Sequence, residues 1–324
     1  VLTYVLFAIG LVFLVKGADW LVDGASALAR RLRVSSLTIG LTVVAFGTSA
    51  PELGVNLYAS FQGTTDIAIS NILGSNIFNI LFILGISAII YPLFVREDAV
   101  WKLIPLSLFA VVVLGILTND SLIDKAGLSV LTRIDGLILL IFFVIFMYYI
   151  FETARQERKE GKEPGIGTKQ YGLTKTISLI ILGLVVLSLG AKWMVDGAIK
   201  LAETLGTSQS LIGLTIVAIG TSLPELATST MAAYKKNTDL AVGNIVGSNI
   251  FNILFITGIS SVVTPLPFDN ASNIDTGVTI IASALLFIFI AMFTGAKRHL
   301  LERWEGIIFV ALYAGFIAYS VLRG

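Results

Sequence analysis

Glu52 lies in the apolar run SLTIGLTVVAFGTSAPELGVNLYASF, directly after Pro51. A carboxylate at bilayer depth costs roughly 3 kcal/mol or more, so it needs a compensating partner. The same word returns later in the chain: GTSAPEL at 47–53 becomes GTSLPEL at 220–226, with Glu225 after Pro224. Each proline removes a backbone donor and disfavours helix at the residue before it. Gly47 and Gly220 loosen the preceding turn. The pattern predicts helix breaks at Ala45–Ser49 and at Ala218–Ser222. A break frees carbonyl oxygens, which inside a membrane must be satisfied by protein, water or a bound ion. Thr48, Ser49, Thr221 and Ser222 add hydroxyls beside the breaks. The donor set is hard oxygen, without cysteine, so it suits Na⁺ or Ca²⁺ and suits Zn²⁺ or copper poorly. Two carboxylates brought together in low dielectric repel, and a divalent cation between them cancels their charge.

A second word, GSNIFNIL, occurs at 74–81 and again at 247–254. It places Ser75, Asn76 and Asn79, and likewise Ser248, Asn249 and Asn252, at i, i+1 and i+4. Ser75 and Asn79 therefore share a helix face. Such groups either line an ion site or hydrogen-bond between helices, as amides and small residues do in membranes; spacing leaves both open. Gly74 and Gly247 allow backbones to approach closely. Asn71 and Asn244, one turn earlier, line the site or pack. Asp66 and Asp239 open apolar runs and read as helix N-caps. Asp23 and Asp196 read as interfacial. His299, the only histidine, sits in AKRHLLER and reads as a surface residue, which excludes a multi-histidine metal site.

These residues must be positioned by membrane helices. Of 324 residues, 56% are hydrophobic and 13% charged, with mean hydropathy +0.91. The apolar residues come in runs of about twenty, the length that crosses a bilayer as a helix. A net charge of +1 and the lack of a basic domain point to no nucleic-acid partner, and the absence of cysteine excludes disulfides and thiolate chemistry. The first run has no basic n-region and no small-residue cleavage site, so it reads as a span rather than a signal peptide. Spans are predicted at roughly 2–24, 36–61, 67–91, 100–118, 134–151, 175–199, 209–234, 239–263, 276–295 and 304–322. One set of loops carries Arg30, Arg31, Arg33, Arg96, Lys102, Arg155, Arg158, Lys159, Lys162, Lys169, Lys175, Lys235, Lys236, Lys297, Arg298 and Arg303. The other carries only Lys125, Arg133, Lys200 and Arg323. The bias places the N-terminus outside and the protein in the cell membrane. ETARQERKEGKEPGIGTKQ, 152–170, reads as a solvated connector.

Residues 40–90 and 213–263 align without a gap at 30 of 51 identical positions. At the same offset GADWLVDGA (17–25) matches GAKWMVDGA (190–198); near the end of each half, RIDG (133–136) echoes RWEG (303–306). The chain is thus two halves, 1–151 and 175–324, joined by a charged cytoplasmic linker, 152–174. Each half has five spans, an odd number, so the second half enters the membrane in the opposite sense. The expected fold is all-α and polytopic: ten transmembrane helices in two inverted-topology repeats, with a site at the midplane between them.

The paired GTSAPEL and GTSLPEL, each followed by GSNIFNIL, resemble the alpha repeats of the sodium/calcium exchanger family of cation/calcium antiporters. The likeness is to a prokaryotic-type member and covers nearly the whole chain. It implies electrogenic exchange, usually of several Na⁺ for one Ca²⁺, by alternating access. It also implies ligands from the broken second and seventh spans and from the third and eighth. Carried over, Glu52 and Glu225 are the central ligands. Thr48, Ser49, Ser75, Thr221, Ser222 and Ser248 are Na⁺-site hydroxyls. Ala45 and Ala218 offer backbone carbonyls, and Asn79 and Asn252 offer amides. The first and sixth spans are long tilted helices that slide across the other eight. Some prokaryotic members and the potassium-dependent exchangers have Asp where this chain has Asn252, which argues against potassium co-transport and bears on stoichiometry. The proton-coupled branch carries a GN-type motif where this chain has GTS, which favours Na⁺ over H⁺. The expected function is a Na⁺/Ca²⁺ antiporter acting as a monomer, not an enzyme, with no cofactor beyond the transported ions. A Ca²⁺/H⁺ antiporter on the same scaffold and a passive cation channel are the alternatives.

Overall fold

The computed structural model describes residues 2–62, 66–97, 99–120, 129–160, 171–204, 218–269, 272–293 and 299–323. It is built of long apolar helices: α1 (Leu2–Leu32), α4 (Ala68–Ile90), α5 (Ala99–Leu117), α6 (Arg133–Glu160), α7 (Leu173–Thr204), α10 (Thr238–Val263), α11 (Ser272–Ala291) and α12 (Arg303–Leu322). Among the described residues these eight are long and apolar enough to cross a membrane. The second expected span is a bent pair, α2 (Ser36–Thr48) and α3 (Ala50–Gln62), at 44°. Of the seventh, the described part is α8 (Ala218–Thr221) and α9 (Leu223–Tyr234); residues 209–217 lie outside the described residues.

Composition sorts the helices. α4 and α10 carry the small and amide residues of GSNIFNIL and are 78% and 83% buried, against 22–39% for the other six, so they form the centre. Gly247 lets α10 lie against α2: a Cβ there would stand 2.9 Å from the Leu41 backbone. Leu214, the residue related to Leu41 by the repeat, lies outside the described residues, so the parallel role of Gly74 is not described. Asn79 and Asn252 each sit in a π-helical turn, Phe78–Ile83 and Phe251–Ile256. Such turns re-aim side chains within a helix.

Each end is tied by a short antiparallel ladder. At one end β1 (Leu93–Phe94) pairs with β4 (Leu300–Leu301); at the other β2 (Ser129–Leu131) pairs with β3 (Leu266–Phe268). At the first end Glu157 is 4% exposed. It meets Arg96 at 3.1 Å, accepts from the Ser35 amide at 2.9 Å and accepts from the Thr38 hydroxyl at 3.0 Å. Reading 152–170 as a solvated connector therefore fails at Glu157, because α6 runs on to Glu160 and folds this carboxylate into the end of the bundle. Nearby, Lys235 holds Asp19 and Asp23 of α1, both at 2.6 Å.

Two further expectations are corrected. Asn237, not Asp239, caps α10, its side chain accepting from the Leu240 amide at 3.2 Å. Asp239 falls inside the first turn; Asp66 likewise begins its helix, and the residue before it is not described. His299 is half-buried rather than on the surface, its ring edge-on to Trp101.

α1 and α7 pack together antiparallel through glycines spaced seven apart. A Cβ on Gly17 would come within 2.8 Å of the Leu187 backbone nitrogen and 2.9 Å of the Gly183 carbonyl. Backbone atoms cannot swing aside as a side-chain tip can. Gly17→Leu is therefore expected to destabilise the fold by about 1–3 kcal/mol. Thermal unfolding in detergent checks this; an unchanged Tm would mean the two helices do not pack this closely.

Candidate cation site

The two repeated words fold alike. α2 remains helical through Thr48 and bends at Ser49 (φ −83°, ψ 6°); α8 does the same at Ser222 (φ −88°, ψ 7°). Pro51 and Pro224 follow in the first turn of the next helix, where a missing N–H is tolerated. The break is narrower than the sequence suggests. The Ala45 carbonyl is already partnered: it accepts from the Ser49 amide at 3.0 Å, and the Thr48 hydroxyl lies within reach of it at 3.3 Å. Ala218 opens α8, and its side chain is not described.

The bends carry each glutamate across to the other half. Ser49 donates to Glu225 Oε1 at 2.9 Å, and Ser222 donates to Glu52 Oε1 at 3.1 Å. Ser248 adds a second hydroxyl to Glu225 Oε1 at 3.3 Å. Both carboxylates are 1% exposed. Among the described residues neither glutamate forms an ion pair with a cationic side chain. Beside them four amides interlock across the halves. Asn79 Nδ2 donates to Asn249 Oδ1 at 2.9 Å, and Asn252 Nδ2 donates to Asn76 Oδ1 at 3.0 Å. Asn76 and Asn249 thus do what interhelical glue does, and they turn the oxygens of Asn79 and Asn252 away from their own partners.

This leaves a specific residue of unmet chemistry. Glu52 Oε2, Glu225 Oε2, Ser75 Oγ, Asn79 Oδ1 and Asn252 Oδ1 are buried and have no hydrogen-bond partner among the described residues. Each such group costs about 1–3 kcal/mol if left unsatisfied. All five are oxygens, and a hard cation satisfies oxygens together. No group of three or more His, Cys, Asp or Glu forms among the described residues. The acids are therefore two, and the other donors are neutral. Of the expected ligands, Thr48, Ser49, Glu52, Ser75, Asn79, Ser222, Glu225, Ser248 and Asn252 are all buried, and Thr221 is half-buried.

Sequence reading missed Asn56 and Ser229, each four residues beyond a glutamate. Asn56 donates to the Glu52 carbonyl at 2.9 Å; Ser229 accepts from Asn244 at 2.9 Å. The signal was there: on an otherwise apolar helix, a polar residue at i+4 from a buried acid shares its face.

Long apolar helices around a fully buried, two-carboxylate, oxygen-lined centre define a polytopic helical membrane protein with the donors of a hard-cation carrier. The chain belongs to the sodium/calcium exchanger family, whose model, described as sodium/calcium exchanger protein, matches residues 2–152 and 175–322. It is 34% identical over 347 residues to the sodium/calcium exchanger MaX1 of Methanosarcina acetivorans, covering 97% of each chain. It is 37% identical over 325 residues to the inner membrane protein YrbG of Escherichia coli, covering 98% of this chain and 95% of that one. Its fold matches the solved sodium-calcium exchanger NCX_Mj, soaked with Na⁺ and Sr²⁺, at a TM-score of 0.81 with 38% identity over 98% of both chains.

Proposed function

We propose that this protein exchanges Na⁺ for Ca²⁺ across the cell membrane by alternating access, with Ca²⁺ and Na⁺ competing for one set of oxygens. Glu52 and Glu225 are the shared charged ligands. Thr48, Ser49, Ser75, Thr221, Ser222 and Ser248 supply hydroxyls, Asn79 and Asn252 amide oxygens, and Ala45 and Ala218 carbonyls. The observation that carries the reading is the reciprocal exchange between the halves. Ser49 meets Glu225 and Ser222 meets Glu52, leaving one unpartnered oxygen on each carboxylate.

The architecture proposed is ten spans in two inverted five-span repeats, 1–151 and 175–324, joined by 152–174. The reciprocal bonds support it, because a pseudo-two-fold axis would generate each from the other. The N-terminus is placed outside. Ser35 and Arg96 meet Glu157 at one end, where Lys235 meets Asp19 and Asp23. This supports gathering the arginine- and lysine-rich loops on one side, and that side is read as cytoplasmic. With several Na⁺ entering per Ca²⁺ the exchange is electrogenic and extrudes Ca²⁺; it needs neither cofactor nor catalytic residue, and one chain suffices.

The test is Ca²⁺ uptake into proteoliposomes loaded with Na⁺ and diluted into Na⁺-free buffer, beside vesicles with a pH gradient and no Na⁺. Uptake is expected only with the outward Na⁺ gradient. Uptake on the pH gradient alone would make the protein a Ca²⁺/H⁺ antiporter with Glu52 and Glu225 as proton carriers. Flux without any counter-ion would make it a channel.

A further inference from the structure

We infer that Asn244 is a positioning residue for Na⁺ recognition: its side-chain oxygen takes the Thr48 hydroxyl proton, which leaves Thr48 Oγ1 and the Ala45 carbonyl able to bind a cation. The inference rests on the cation-site reading above. A hydroxyl has one proton and ligates through its oxygen lone pairs, so the proton must be given elsewhere. Thr48 has two acceptors within reach, the Ala45 carbonyl at 3.3 Å and Asn244 Oδ1 at 3.1 Å. The choice has consequences. The Ala45 carbonyl already accepts the Ser49 amide at 3.0 Å, so a second bond from Thr48 would occupy both of its lone pairs. A bond to Asn244 leaves one of them for an ion.

Asn244 is itself aimed. Its Nδ2 donates to Ser229 Oγ at 2.9 Å, and Ser229 Oγ donates to the Ala241 carbonyl at 3.5 Å. This fixes the amide with its oxygen towards Thr48. The donors of Thr48, Asn244 and Ser229 are directed in turn to Asn244 Oδ1, Ser229 Oγ and the Ala241 carbonyl, none of them a proposed ligand, and all three residues are fully buried. The relay crosses the halves: Thr48 ends α2, Asn244 is on α10 and Ser229 is on α9. At the repeat-related positions stand Thr221, Asn71 and Asn56. There Asn71 Nδ2 and Asn56 Oδ1 have no partner among the described residues. Helix packing alone therefore does not demand the bond that Asn244 makes to Ser229.

The test uses the full chain reconstituted in liposomes. Asn244→Leu is expected to raise the Na⁺ half-saturation about tenfold; of the shared oxygens Ca²⁺ draws chiefly on the two carboxylates, which the substitution leaves in place, so its half-saturation should stay within about twofold. It should also abolish the rise in Tm that Na⁺ gives the detergent-solubilised protein without Ca²⁺. In a Thr48→Val background, Asn244→Leu should add nothing, because Asn244 acts through Thr48. Asn244→Asp keeps an acceptor for Thr48, so its Na⁺ half-saturation should be no higher than that of the parent. A simple packing role would instead weaken Na⁺ and Ca²⁺ by the same factor, or add to Thr48→Val, and either result overturns the proposal. If Asn244→Leu does not fold, Ser229→Ala releases the amide while sparing its oxygen, and should raise Na⁺ half-saturation about threefold; no change overturns the proposal. Retained Ca²⁺ uptake in Glu52→Gln and Glu225→Gln would defeat the site reading itself. Loss of uptake there with unchanged Na⁺ dependence in Asn244→Leu defeats only the relay.

Discussion

Glu225→Gln is expected to cut Ca²⁺ flux at least about 100-fold while leaving a folded protein. Glu225 Oε1 already receives hydroxyls from Ser49 and Ser248, at 2.9 and 3.3 Å, and Oε2 receives none. An amide keeps the shape of the side chain. Its oxygen can go on accepting from the two serines, so local packing survives. Its NH₂ then falls where Oε2 was, and turns a cation ligand into a group that repels a cation. The site also loses one of its two formal charges, and charge count is a main lever on the affinity of oxygen sites for Ca²⁺. Glu52→Gln should do the same, with Ser222 still donating to Oε1. Flux in proteoliposomes, beside Tm and size-exclusion profiles in detergent, measures both. Flux within about twofold of the parent in either variant would remove that glutamate from the site.

Glu157→Leu is expected to lower stability by about 3 kcal/mol without touching the site oxygens. The carboxylate serves three partners at once: the Arg96 guanidinium, the Ser35 amide and the Thr38 hydroxyl. Leucine would leave the Ser35 amide buried without an acceptor and leave the Thr38 hydroxyl only Ser35 Oγ, 3.0 Å away, to donate to. Arg96 is 26% exposed, so its charge regains some water and its share of the loss is discounted. Ser35 caps α2, accepting from the Thr38 amide at 3.2 Å. The damage therefore falls at the start of the helix whose far end carries Thr48. Glu157→Gln, which keeps one acceptor, should lose about half as much. Thermal unfolding of the two variants checks the order; equal Tm values for Glu157→Leu and the parent would show that the buried carboxylate contributes nothing.

Much of the site was legible because a helix fixes which residues share a face. Thr48, Ser49 and Glu52 had to lie near one bend, and Ser75 and Asn79 on one side of their helix, whatever the helices did next. Duplication made those donors stand out from an apolar background. Asp239 and His299 were misjudged for the opposite reason. Asp239 was read from its place at the start of an apolar run and His299 from its basic stretch, whereas Asn237 took the cap and Trp101 covered the imidazole through contacts that local sequence does not report. Glu157 was lost in a run of charges that looks uniformly solvated until α6 is folded against Ser35.

The sequence by itself determined the membrane helices, their duplication and an oxygen-only donor set, because hydrophobic run length and within-helix spacing are local properties. Only the tertiary structure decided how those donors are shared. The pairs Ser49–Glu225, Ser222–Glu52 and Thr48–Asn244 join residues 176, 170 and 196 apart in the chain. Which oxygen each hydroxyl finds depends on the rotation and depth of one helix against another. That rotation is set by glycine contacts such as Gly247 on Leu41 and Gly17 on Gly183, and through them the packing selects which carboxylate and amide oxygens remain open to a cation.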